Sequence, residues 1–151
     1  MVDPSRQFFT LDSFDLKGKV ILLRLDLNSP IHPLTGEILS ESRMKSHIDT
    51  INDLRSSKIV IIAHQSRPGK NDFTSLREHS RRLQRIIGRK ITFVDSLFNS
   101  EATKRISEMN EGDIIMLENT RFYSEDVSLQ TSDYDIMENT NFVKNLSRVI
   151  D

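Results

Sequence analysis

The chain has 151 residues, of which 36% are hydrophobic and 28% charged, and its 21 basic and 22 acidic side chains leave a formal net charge of −1. That length suits one domain with a sizeable core, and the charge balance supplies no global field that would draw the chain to nucleic acid or a membrane, so any anion site has to be local. Cysteine is absent, which excludes disulfides, thiol catalysis and thiolate zinc sites and accords with a reducing cytoplasm, and no apolar run approaches the ~20 residues of a bilayer span.

The amino-terminal stretch carries Asp3, Arg6 and Asp12 among scattered apolar residues and is no secretory signal. Gly18-Lys19 leads into a first strand, Val20 to Leu25. The following loop holds Pro30, Pro33 and Gly36, which exclude a helix there. Met44, Ile48, Ile51 and Leu54 then recur at helical spacing. A second strand, Lys58 to Ala63, is apolar almost throughout, as expected of a strand covered on both faces. Ser75 and Glu78, three apart, predict a capping box opening a helix with the stripe Leu76, Leu83, Ile86 and Ile87, closed by Gly88. A short third strand, Ile91 to Val94, precedes a helix bearing Ala102, Ile106 and Met109. Gly112 introduces the fourth strand, Asp113 to Leu117. A polar stretch, Ser124 to Asp133, leads to a last amphipathic helix with Ile136, Val143, Leu146 and Ile150. This alternation predicts an α/β, doubly wound (Rossmann-like) parallel sheet with helices on both faces. It ends on a helix with no following strand, so the sheet is expected to be incomplete at the C-terminus and Asp151 to be a truncation point, with a small complete four-stranded domain as the alternative.

Three of the strands end in polar, cationic knots: Asp26-Leu27-Asn28-Ser29-Pro30, His64-Gln65-Ser66-Arg67-Pro68-Gly69, and Glu118-Asn119-Thr120-Arg121-Phe122. Ligands of open α/β sheets bind beyond the carboxyl ends of the strands. Asp26 and Asn28 alternate along an extended segment and so share a side, where the carboxylate accepts from hydroxyls and the amide donates to a carboxylate; taken alone, a purely local turn explains them better. His64 and Arg67 bring an imidazole and a planar guanidinium fork suited to phosphate, with a structural hydrogen bond as the alternative for His64. Arg121 either joins them or pairs with Glu118. Arg43 falls in the first turn of the first helix, where a surface arginine is also common. His32, His47 and His79 read as solvated side chains. Four cationic or imidazole groups converging on one rim give charge-assisted hydrogen bonds of about 1.5–3 kcal/mol each, enough for a multiply charged small anion.

Other chemistries lack their residues. The sequence has no G-x-x-x-x-G-K-[ST] loop, no G-x-G-x-x-G after the first strand, no H-E-x-x-H and no nucleophile elbow. The basic residues lack the aromatic interleaving of a nucleic-acid platform.

The run Lys17-Gly18-Lys19-Val20-Ile21-Leu22-Leu23-Arg24-Leu25-Asp26-Leu27-Asn28-Ser29-Pro30, then Ser42-Arg43, His64-Gln65-Ser66-Arg67-Pro68 and Leu117-Glu118-Asn119-Thr120-Arg121-Phe122-Tyr123, resembles the phosphoglycerate kinase family in order and spacing. The form of the His64 segment is similar to the archaeal branch, with Ser66 where the commoner family form has glycine. The resemblance covers essentially residues 1–151 as an N-terminal phosphoglycerate-binding domain. It implies reversible phosphoryl transfer between ATP and 3-phosphoglycerate, giving ADP and 1,3-bisphosphoglycerate, in a cytoplasmic glycolytic and gluconeogenic enzyme. It implies that Asp26 and Asn28 hold the glycerate end, that His64, Arg67 and Arg121 grip the non-transferring phosphate, and that Arg43 stabilises the transferring group. Mg-ATP or Mg-ADP would be bound by a C-terminal domain outside this chain, with no metal or cofactor in the chain itself, and the chain alone is expected to be inactive. No nucleic-acid or membrane partner is expected. A stand-alone anion-binding or regulatory module without catalysis is the competing expectation.

Overall fold

The four apolar runs form one parallel sheet: β1 (Val20–Arg24), β2 (Lys58–Ile62), β3 (Thr92–Val94) and β4 (Ile114–Leu117), in the order β1-β2-β4-β3. The computed structural model describes residues 8–129 and 133–151. Between and after the strands lie α1 (Ser42–Lys45), α2 (Ile48–Asp53), α3 (Arg77–Ile87), α4 (Ser100–Ser107), α5 (Ser124–Ser128), α6 (Tyr134–Glu138) and α7 (Asn141–Leu146).

Alternate residues of each central strand enter two different cores, because successive strand side chains point to opposite faces. Ile59 and Ile61 of β2 and Ile114 and Met116 of β4 pack with Met44, Ile51, Leu54, Leu76 and Leu83 from α1, α2 and the start of α3. Val60, Ile62, Ile115 and Leu117 pack on the other face with Ala102 and Ile106 of α4 and Leu146 of α7. Burial on both faces is why these strands read as unbroken apolar runs. The chain steps β1 to β2 and then past β4 to β3 with its helices on one face. It reverses from β3 to β4 with α4 on the other, as right-handed crossovers require. The expected doubly wound sheet is therefore the observed one.

Several local expectations fail for identifiable reasons. The first helix is two short ones, α1 and α2: the Ser46 hydroxyl donates back to the Arg43 carbonyl at 2.7 Å, and His47 is tied to the Asp26 carbonyl at 3.2 Å. The Ser75–Glu78 capping box does not form. The residue preceding α3 is Leu76, and its N–H donates at 2.9 Å to Glu118, beyond β4, while the Ser75 hydroxyl donates to the same carboxylate at 2.7 Å. The last amphipathic helix is broken into α6 and α7 because Thr140 starts a new helix, its hydroxyl accepting from Val143 N–H at 3.2 Å. Of its apolar set only Leu146 is fully buried. Part of the polar stretch before it, like Asp3 and Arg6, lies outside the described residues. At the free edge of β1, Asp151 N–H donates to the Val20 carbonyl at 3.0 Å and its carboxylate accepts from Val20 N–H at 2.7 Å.

Candidate functional site

Because β1, β2 and β4 are adjacent, their three polar tips lie side by side. Beyond β1 the chain stays extended, and burial alternates: Leu25 and Leu27 face the core while Asp26 is exposed and Asn28 half-buried. Asp26 and Asn28 therefore share the outer side, as their spacing predicted. The Asp26 carboxylate accepts from the guanidinium of Arg43 on α1. The Asn28 side-chain oxygen accepts from Ser66 N–H at 2.9 Å, which joins the first tip to the second.

Ser66 is the one described non-glycine residue in the left-handed region, with φ 59°. Its carbonyl is turned toward Arg121, which donates to it at 2.6 Å, and its hydroxyl donates to Asp72. This conformation costs a residue with a Cβ about 1–2 kcal/mol, and it fits the position's likeness to a glycine site. Arg121 also approaches Asp126 at 3.8 Å. It does not pair with Glu118, whose carboxylate is occupied by Ser75, Leu76 and Asn119.

Asn28, His64, Ser66, Arg67, Lys70, Asp72 and Arg121 line a hollow of about 430 Å³. A second hollow of about 370 Å³ shares Asn28 and Asp72 and adds Ser40, Ser42 and Arg43. All six residues singled out from the sequence thus reach one end of the sheet, although Asp26 enters through its pair with Arg43 rather than as a wall. Arg67 is exposed and makes no ion pair with a described residue, so its fork is open to an incoming anion. His64 is held below the ordinary imidazole range by burial, then by the charges of Arg121 and Arg24, against weaker opposition from Asp126 and Asp26. Burial is the larger cause, and the two arginines add to it, so that cationic side chains do face this imidazole.

Arg121 also lines a hollow of about 490 Å³, larger than these two, with Arg24, Leu129, Met137, Phe142 and Val143. Glu125 and Asp126 also line it, which suits a small anion less well. Arg24, Lys70 and Asp72 were not singled out from the sequence. Arg24 had a readable signal: it precedes Asp26 and Asn28 at the same two-residue period.

Beneath the rim runs a buried polar network that sequence reasoning also missed. Asn119 accepts from Gln65 N–H at 3.3 Å and from Arg121 N–H at 3.1 Å, and donates to the carbonyls of Gln65 at 3.0 Å and Thr74 at 2.9 Å. His79 is 1% exposed, not solvated, and meets the Gln65 side-chain oxygen at 3.0 Å. Burial pushes its imidazole down to about 4. His47 and His32 are likewise engaged, His47 with the Asp26 carbonyl and His32 with the N–H groups of Leu34 and Thr35. Among the described residues no group of three or more His, Cys, Asp or Glu is placed to hold a metal ion, and no helix is long and apolar enough to cross a membrane.

The family model described as phosphoglycerate kinase matches residues 11–151. Phosphoglycerate kinase of Thermoplasma volcanium is 57% identical over 144 residues, covering 95% of this chain and 35% of that protein. The Methanosarcina mazei phosphoglycerate kinase is 50% identical over 147 residues, covering 97% of this chain and 35% of its own length. The crystal structure of phosphoglycerate kinase from Pyrococcus horikoshii OT3 superposes with a TM-score of 0.90 at 36% identity, over 95% of this chain and 35% of that one. The chain thus spans about a third of the length of the curated relatives it matches. With the match running from residue 11 to residue 151, the chain belongs to the phosphoglycerate kinase family.

Proposed function

We propose that residues 1–151 form the N-terminal, phosphoglycerate-binding domain of a cytoplasmic phosphoglycerate kinase that interconverts ATP and 3-phosphoglycerate with ADP and 1,3-bisphosphoglycerate. The observation that carries this reading is the meeting of His64, Arg67, Arg121 and Asn28 around one hollow, with Arg43 in the wall of the next. Arg67 and Arg121 bind the phosphate that does not transfer, with His64 donating once protonated. Asn28 and Asp26 orient the glycerate. That places the substrate carboxylate toward Arg43.

A carboxylate oxygen is already ionised, so no protein base is required. The oxygen forms a bond to the γ-phosphorus while the bond from that phosphorus to the ADP oxygen breaks. Arg43 stabilises charge on the transferring group, and positioning with electrostatics supplies the catalysis. This chain spans about a third of the length of its relatives, and on this reading the magnesium nucleotide falls to the remaining two thirds, so that the isolated chain binds substrate without turnover.

The test is a titration of the protein with 3-phosphoglycerate followed by backbone amide signals. Shifts should centre on His64, Arg67 and Arg121, and Arg67→Ala should weaken binding about 10- to 100-fold, from the loss of a charged hydrogen bond. Unchanged affinity in Arg67→Ala, or shifts produced by ATP alone and centred elsewhere, would overturn the reading.

A further inference from the structure

Gln65 stands at the tip of β2, fully buried, and its side-chain amide lies against Ser29 of the β1 tip. The amide oxygen accepts from Ser29 N–H at 3.0 Å, and the amide nitrogen donates to the Ser29 carbonyl at 3.0 Å. Both backbone groups of one residue are thus satisfied as a neighbouring strand would satisfy them. The contact carries the β1–β2 pairing past Leu25, whose N–H makes a backbone bond to Ile62 at 3.0 Å.

The same amide oxygen meets His79 Nε2 on α3 at 3.0 Å. An amide oxygen only accepts, so Nε2 carries the hydrogen. His79 Nδ1 has no partner among the described residues, which leaves Gln65 as the ring's polar tether. Rotating the amide by half a turn would put its NH2 against the Ser29 N–H and its oxygen against the Ser29 carbonyl, so that both bonds to Ser29 would be lost. The backbone of Ser29, with a fixed donor and a fixed acceptor, therefore sets the amide's orientation, and His79 braces it from α3 as the Nε2–H tautomer.

Directly above, the adjacent residues Asn28 and Ser66 are bonded across the hollow, and Ser66 in turn offers its carbonyl to Arg121. Neither Gln65 nor His79 lines the hollow. We propose that Gln65, braced by His79, is a positioning residue that fixes the spacing between the Asp26–Asn28 segment and the His64–Arg67 segment. The proposal rests on the reading of the hollow as the phosphoglycerate site and assigns its geometry to a buried amide on α3's side of the sheet.

The experiment uses the full-length kinase and measures Kd for 3-phosphoglycerate, KM for both substrates and Tm. Gln65→Met leaves two buried backbone groups of Ser29 unpaired and should raise Kd and KM for 3-phosphoglycerate about 10-fold with KM for ATP unchanged. His79→Leu should move the same quantities in the same direction. His79→Gln keeps an N–H donor near the Nε2 position and should stay within about 2-fold of the parent, since the bond it replaces is retained. In the unaltered protein, the Gln65 side-chain amide signals should be protected from solvent exchange and should shift when 3-phosphoglycerate binds, which serves if Gln65→Met does not fold. A fall in Tm with unchanged phosphoglycerate affinity in His79→Leu and Gln65→Met would make the network merely structural and overturn the proposal. Amide signals indifferent to the ligand would do the same. Arg67→Ala, run alongside, separates the two failures: if it weakens binding and these variants do not, only the positioning role falls, whereas unchanged binding in Arg67→Ala removes the site itself.

Discussion

The guanidinium of Arg43 donates to the carboxylate of Asp26, joining α1 to the segment beyond β1. Their side chains are 48% and 57% exposed, respectively. Exposed pairs contribute about 0–1 kcal/mol to stability, because water screens the attraction and two long side chains lose freedom. On the proposed function, the pair holds an arginine beside the hollow that Arg43 lines until a ligand takes it.

Arg43→Ala should therefore lower kcat of the full-length kinase far more than it lowers Tm. Arg43→Lys should not restore the rate, because a point ammonium cannot reproduce a planar fork. Steady-state kinetics beside thermal melting decide the matter, and a large loss of Tm with normal kcat would assign the arginine to structure instead.

His64 should couple substrate binding to proton uptake. Burial and the neighbouring arginines depress its folded-state pKa, so the empty site holds a neutral imidazole near pH 7. A bound phosphate offsets those cations and raises the pKa, so affinity for 3-phosphoglycerate should rise as pH falls toward 6, more steeply than in His64→Gln. The ligand's own phosphate titrates identically in both and cancels. Calorimetry in buffers of different ionisation enthalpy should show the extra proton taken up by the parent protein.

His79 should make the fold acid-sensitive. Its folded pKa is depressed from 6.5 to about 4, so the unfolded chain binds the proton more readily than the native one. The stabilisation is fully present above pH 6.5 and is lost as pH falls toward 4. Linkage bounds the loss at about 3 kcal/mol. His64 contributes with the same sign. Urea unfolding at a series of pH values should show a shallower decline over this window in His79→Gln than in the parent, and equal slopes would contradict the assignment.

Asn119 is fully buried and serves four backbone groups: Gln65 N–H and C=O, the Thr74 carbonyl and Arg121 N–H. Asn119→Ala should cost about 3 kcal/mol or more, because unsatisfied buried groups cost about 1–3 kcal/mol each. Denaturant unfolding gives the number. A loss below about 1 kcal/mol would mean that water enters and replaces the amide.

Local chemistry made much of this protein legible. The unbroken apolar runs at Lys58–Ile62 and Ile114–Leu117 revealed strands covered on both faces, because parallel strands between helix layers have no wet side. The alternation of Asp26 and Asn28 was readable from a period of two, and Arg24 could have been read from the same period. The burial of His79 was also within reach: it lies three residues after Leu76 and four before Leu83, on the apolar stripe of α3. Its place within a helix suggested solvation and misled.

Strand order was decided by the tertiary structure. Nothing in the periodicity of the chain says that β4 inserts between β2 and β3, yet that insertion sets the tips of β1, β2 and β4 side by side and carries the β3 tip away. The partners of Gln65, Glu118 and Arg121 lie 36, 42 and 55 residues away, at Ser29, Leu76 and Ser66. Hydrogen-bond donors and acceptors of one type are chemically alike wherever they stand in the chain, so which of them meet is settled only by packing two helix layers against one twisted sheet.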